Sequence, residues 1–167
     1  GTWTELTESP KKEDSNKIIR PFVSTGKASI ARGKCSIYYN PIKWKPKGIE
    51  EGGRLTIEHT NGEAFAIIIA ERSEYGLDPL KEAVLTNARN ADPNAFILTE
   101  TTKMLNGNPV LYMEIKATIK GIKFHYCGHY YSGEKGSIQV FAWVSENLFE
   151  EYKPDFIEFL NGLSLEP

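Results

Sequence analysis

The sequence predicts an α/β protein: a three-layer α/β/α sandwich on a mainly antiparallel sheet of about seven strands, with one central helix and a C-terminal helical segment. Three observations carry that prediction. Residues 96–146 read as three long strands of alternating polarity, separated by the turn signals Ile119-Lys120-Gly121-Ile122 and Ser132-Gly133-Glu134-Lys135-Gly136. Asp78-Pro79 opens a run in which Leu80, Val84 and Ala88 recur at helical spacing. Leu148, Tyr152, Phe156, Phe159, Leu160 and Leu163 recur at three and four, giving the end of the chain one apolar stripe to lay on the sheet.

Each element has its own local reason. Residues 1–16 are polar and lack a sustained period; they read as a flexible arm, expected to run on to residue 26 before a single domain over 27–167. Lys34 to Asn40 is the first secure strand, and Pro41 to Pro46 is a loop carrying Trp44. Arg54 to Thr60 alternates Leu55 and Ile57 with polar residues, and Asn61-Gly62 predicts a two-residue hairpin into Glu63 to Glu71. Ile67-Ile68-Ile69 in that partner strand is expected to be buried on both faces. Asp78 offers an N-cap with Pro79 at the first helical position, and Pro93 ends the helix near Ala91. Phe96 to Leu105 is the next strand, turned by Asn106-Gly107-Asn108-Pro109. Ser145 and Asn147 offer caps for the last segment, Pro154 kinks it or starts a second helix, and Asn161-Gly162 ends it.

Pairing Ile119 with Ile122 assigns every neighbouring residue to a face, because side chains alternate along a strand. One face carries Leu111, Met113, Ile115 and Ala117 against Phe124, Tyr126, Gly128 and Tyr130, and is expected to gain Ile138, Val140, Ala142 and Val144. This reads as the core. The other carries Tyr112, Glu114, Lys116, His125, Cys127 and His129, with Gln139, Phe141 and Trp143 beyond. A face so mixed is either covered by the rest of the chain or open for binding.

Composition narrows the function. With 167 residues, 40% hydrophobic and 25% charged, the chain can bury an ordinary core. A net charge of −2 argues against a nucleic-acid partner. No apolar run approaches the ~20 residues of a membrane helix. Eight basic residues and no acid lie between Asn16 and Ile49, a segment suited to an acidic partner or a membrane surface, or simply a solvated face. Lys43, Trp44, Lys45 and Lys47, with Tyr112 and Trp143, form a candidate protein-binding surface; Trp44 reads equally as a plug beneath the sheet.

The sharpest chemical constellation is His125-x-Cys127-x-His129. Imidazole and thiolate suit zinc or copper, and Glu114, opposite Cys127, adds a candidate oxygen ligand. Against it, the outer two ligands on a straight strand stand about 13 Å apart. The alternative is a buried thiol between two hydrogen-bonded histidines. A Cys35–Cys127 disulfide would exclude thiolate ligation. For catalysis the chain has neither a G-x-S-x-G elbow nor an H-E-x-x-H helix, and Ser24 to Ser29 lacks the glycine and hydroxyl of a phosphate loop. A hydrolase or redox enzyme using Cys127, with His59 approaching from elsewhere, is the weakest class. No catalytic residue is assigned.

The run Cys35-Ser-Ile-Tyr-Tyr-Asn-Pro-Ile-Lys-Trp44 resembles the "strand, Pro, few residues, Trp" opening of PsbP-like domains. Those domains continue with a hairpin, a helix, a long meander and a C-terminal helix closing on a Ser-Leu ending, here Leu163-Ser164-Leu165. The resemblance covers about residues 27–165. It implies an α/β/α sandwich used mostly without catalysis, in photosystem subunits, assembly factors, a Ran-binding import factor and secreted or lipid-anchored bacterial proteins. The expectation is therefore a non-enzymatic binding or assembly protein, extracytoplasmic and without a cofactor. Its partner would be another protein or an acidic or membrane surface. A metal-binding protein using His125, Cys127 and His129 is the alternative.

Overall fold

The computed structural model describes residues 17–32 and 34–165. Among these, eight strands form one sheet: β1 (Lys17–Ile18), β4 (Trp44–Glu51), β5 (Arg54–His59), β6 (Phe65–Glu71), β7 (Phe96–Leu105), β8 (Asn108–Ile119), β9 (Ile122–Gly133) and β10 (Gly136–Ser145). Their order is β1-β7-β8-β9-β10-β6-β5-β4, and β1 with β7 is the parallel pair. A second sheet, β11-β3-β2, consists of β2 (Gly26–Ile30), β3 (Cys35–Tyr39) and β11 (Leu163–Leu165). The helices are α1 (Leu77–Ala91) and α2 (Phe149–Leu160), the latter preceded by a 3₁₀ turn at Glu146–Leu148. The fold is α/β with a mostly antiparallel sheet, as expected, in eight plus three strands instead of seven.

The first meander hairpin has the expected register. Ile119 pairs with Ile122 and Glu114 with Cys127. Lys120 and Gly121 both take left-handed backbone, φ 52° and 80°, the conformation a tight hairpin needs to match strand twist.

The second hairpin corrects the sequence reading. Gly133 pairs with Gly136, so the turn is only Glu134-Lys135, and the two-residue loop shifts the parity of β10 by one. Gln139, Phe141 and Trp143 therefore stand beside Tyr130, Gly128 and Tyr126, while Ile138, Val140, Ala142 and Val144 lie on the face of His125, Cys127 and His129. The face read as mixed is the principal core. It packs against α2 and the small sheet through Trp44, Phe149, Tyr152, Phe156 and Phe159. On the opposite face, α1 sets Leu80 and Val84 on Leu111, Met113, Ile115 and Tyr130.

Other expectations shift locally. Trp44 to Pro46 is not loop but the start of β4, where Pro46 is tolerated because β4 is an edge strand. The Asn61-Gly62 turn sits in a longer connection, since the last ladder pair is Glu58 with Phe65. Gly76 occupies the N-cap of α1 and Asp78 falls inside its first turn, where it serves the helix dipole and makes no cap hydrogen bond. Pro154 lies inside a continuous α2, and the break falls earlier, at the 3₁₀ turn. Of the arm expected over 1–26, residues 1–16 lie outside the described residues, but Lys17–Ile18 pairs with β7 and Gly26 with Tyr39. The C-terminal Leu163-Ser164-Leu165 closes the small sheet on β3.

Candidate functional site

The two faces of the large sheet treat their chemistry in opposite ways. On the α2 face, alternation along β8 and β9 brings Tyr112, Glu114, His125, Cys127 and His129 to one side, and α2 covers them. Glu114 is the hub. Tyr112 Oη donates to its Oε2 at 2.7 Å, His125 Nε2–H donates to its Oε1 at 2.7 Å, and Lys153 Nζ stands 3.7 Å from Oε2. The His125 ring lies flat on Phe149, with centroids 3.3 Å apart.

His129 makes no hydrogen bond to Glu114: its ring lies edge-on to Tyr112 at 5.8 Å and it donates through Nδ1 to the Leu160 carbonyl at 3.1 Å. Its Nε2 is then the unprotonated nitrogen, and it is enclosed without a partner. The ring is therefore held neutral: burial above all lowers its pKa to about 4. Burial also lowers His125, more than Glu114 raises it. For Glu114 burial acts upward, but the hydrogen bonds from Tyr112 and His125 prevail and hold the carboxyl below its ordinary value.

Cys127 is fully buried between these groups. Burial, reinforced by the Glu114 charge, pushes its thiol far above the usual range. Cys35 sits in the other sheet and forms no disulfide with it. Among the described residues no three His, Cys, Asp or Glu side chains converge as a metal-ligating group. The strand brings Glu114 to His125 and leaves His129 facing α2, so the four candidate ligands are not assembled around one point.

The third buried histidine, His59, enters the sequence reading only as a remote partner for Cys127, and the structure engages it elsewhere. His59 Nε2–H donates to Asp155 Oδ2 at 2.9 Å, Lys43 Nζ donates to Asp155 Oδ1 at 2.6 Å, and the Asn61 backbone N–H donates to His59 Nδ1 at 3.1 Å. Both ring nitrogens are thus occupied. The ring is also edge-on to Trp44 and Tyr152. This network ties β5 to α2 across 96 residues of sequence, a pairing no local motif announces.

These contacts sort the predicted binding surface. Trp44 is 1% exposed and Tyr112 4%, so both are core. Lys43 is engaged by Asp155, and Lys47 pairs with Glu58 at 3.2 Å. Lys45 is exposed, and Trp143 is half-buried. Trp143 alone among the predicted aromatics is presented, and the sheet places it in a row.

That row lies on the α1 face. The helix packs on β8 and β9, and the part of the face formed by β10, β6 and β5 carries Phe141, Trp143 and Phe65, each half-buried. Phe65 stacks on Trp143 at 6.0 Å, and Trp143 meets Tyr126 at 5.9 Å and Phe141 at 5.8 Å. Tyr126 continues to Phe124 at 6.3 Å. Gly128, opposite Phe141 in the ladder, leaves room for its neighbours: a Cβ there would stand 2.7 Å from Phe141 Cβ and 2.8 Å from Tyr130 Oη. The structure thus has a fixed strip of five aromatic rings, reachable from solvent.

Comparison with solved structures supports the same fold. Cyanobacterial PsbP from Synechocystis sp. PCC 6803 superposes with a TM-score of 0.58 at 11% identity, over 96% of this chain and 99% of that one. A protein of unknown function from Pseudomonas aeruginosa matches 62% of this chain and 74% of its own, with a TM-score of 0.50 at 12% identity. A Bacteroides thetaiotaomicron protein matches 86% of this chain but only 49% of its own length, with a TM-score of 0.51 at 14% identity. No family model matches the sequence, and no curated protein matches it either. The chain has a PsbP-like fold.

Proposed function

We propose that this is a non-enzymatic binding or assembly protein that meets its partner, another protein, through the aromatic strip on the α1 face. The observation that carries the proposal is the contiguous row Phe124, Tyr126, Phe141, Trp143 and Phe65, held in ladder register and half-exposed. Tryptophan and tyrosine dominate interface hot spots because they bury large area at small entropic cost. The groups with nucleophilic or metal-binding chemistry support the same reading: Cys127 and His129 are enclosed, and the thiol is held protonated. An extracytoplasmic location belongs to the proposal, supported by the PsbP-like fold. Among the described residues, no helix is long and apolar enough to cross a membrane.

The test is native capture from an extracytoplasmic extract with wild type and Trp143→Ala. One partner should be recovered repeatedly by wild type and lost by the variant while the variant stays folded. Repeated capture of nothing, or capture indifferent to Trp143, would overturn the proposal.

A further inference from the structure

Beside the strip, α1 and the sheet it packs on leave between them an apolar trough of about 410 Å³, within the size range of small-molecule sites. Its helix wall is Val84, Asn87, Ala88 and Ala91, which share one side of α1. Its floor runs from Ile119 on β8, past Tyr126 and Phe141, to Ile69 on β6 and Arg54 on β5. That floor crosses four inter-strand spacings, β8-β9-β10-β6-β5, or about 19 Å. The trough is therefore long and mainly apolar.

Its two ends differ. The Ile119 end is walled by Ala91 and Ala117. The other end gathers Arg54, Gln139 and Ile69, neighbours in one row of the ladder. Among the described residues Arg54 makes no ion pair, although Glu51 lies opposite it on β4. Among the described residues, neither the Gln139 nor the Asn87 side chain has a hydrogen-bond partner. A guanidinium and an amide beside one end of an apolar channel complement an anion joined to a hydrocarbon tail, and the planar fork matches a carboxylate.

From this geometry we infer that the trough binds a single-chain carboxylate amphiphile of the fatty-acid class, with its tail along the Val84–Ala91 wall and its head at Arg54. The inference deepens the proposed binding role, because Tyr126 and Phe141 serve both surfaces. A bound chain would extend the aromatic strip as one apolar surface.

The experiment is calorimetric titration of the intact protein with dodecanoate below its micellar concentration. Dodecanol and acetate are the controls, and Arg54→Gln and Ala88→Leu the variants, each verified as folded by circular dichroism. Dodecanoate should bind with one-to-one stoichiometry, acetate should not, and dodecanol should bind more weakly. Arg54→Gln should weaken dodecanoate about tenfold, the scale of one charged hydrogen bond, and leave dodecanol unchanged. Ala88→Leu should weaken both by occupying the channel. Equal binding of dodecanol and dodecanoate, indifferent to Arg54, would overturn the assignment and make the trough a seat for an apolar protein segment. No dodecanoate binding, with partner capture still sensitive to Trp143, would reject the ligand and leave the binding role standing. Loss of both would reject both.

Discussion

One sheet carries two faces that solve opposite problems. On the α2 face, polar residues sit where water is excluded, and most of their polar atoms are matched inside the protein: Glu114 to Tyr112 and His125, His129 Nδ1 to Leu160 while its Nε2 stays enclosed and unpaired, and from the adjoining edge His59 to Asp155. On the α1 face, aromatic residues stay half-exposed although the chain has a second helix with which to cover them. On this sheet the reactive residue types are the enclosed ones, and the five rings of the aromatic strip are the accessible ones. Desolvation turns His, Cys and Glu into internal fasteners, while the aromatic row keeps its access to solvent.

Two tryptophans separate the two faces most sharply. Trp44 is sealed on the α2 side against His59, Phe156 and Phe159, and Trp44→Ala should cost about 4 kcal/mol in urea unfolding. Near equality with Trp143→Ala would erase the distinction between the faces.

Next comes pH. His129 is neutral in the folded protein with a pKa lowered to about 4, whereas an unfolded histidine titrates near 6.5. The unfolded chain therefore binds more protons between these values. Stability is complete above about pH 6.5, falls as pH drops towards about 4, and levels off below. The loss is at most about 3 kcal/mol. His125, also lowered, acts with the same sign. A His129→Gln variant should show a flatter profile of unfolding free energy against pH. An unchanged profile would remove His129 as its source.

Glu114→Gln should cost about 2 kcal/mol, because an amide presents N–H to donors that a carboxylate accepted. The smallest effect is expected at Trp143→Ala, about 1 kcal/mol in urea unfolding for a half-buried ring. A larger loss there would place the aromatic strip in the folding core.

Much of this was legible in sequence where the cause is local. The β8–β9 register follows from Lys120-Gly121, which leaves one tight turn available, and the pairing of Glu114 with Cys127 follows from it. The β9–β10 register was not legible. Gly133 and Gly136 each support a turn, and loops differing by one residue give opposite faces to Phe141 and Val140. That ambiguity hides the aromatic row, because the longer loop puts Phe141 and Trp143 with the histidines, away from Tyr126. The His59–Asp155 contact depends on α2 reaching the end of β5, which no short spacing encodes. The Gly76 cap replaced Asp78 because Pro79 tolerates several positions in a first turn, so it does not fix where the turn begins.

The measurement that tests the account most directly is hydroxyl-radical footprinting of the native protein, read residue by residue by mass spectrometry. The account predicts oxidation at Trp143, Phe141, Phe65 and Tyr126, with protection of Cys127, Trp44, Tyr112 and His129 until the protein is unfolded. Oxidation of Cys127 in the native state as rapid as that of Trp143 would contradict it, because the α2 face would then be the accessible one.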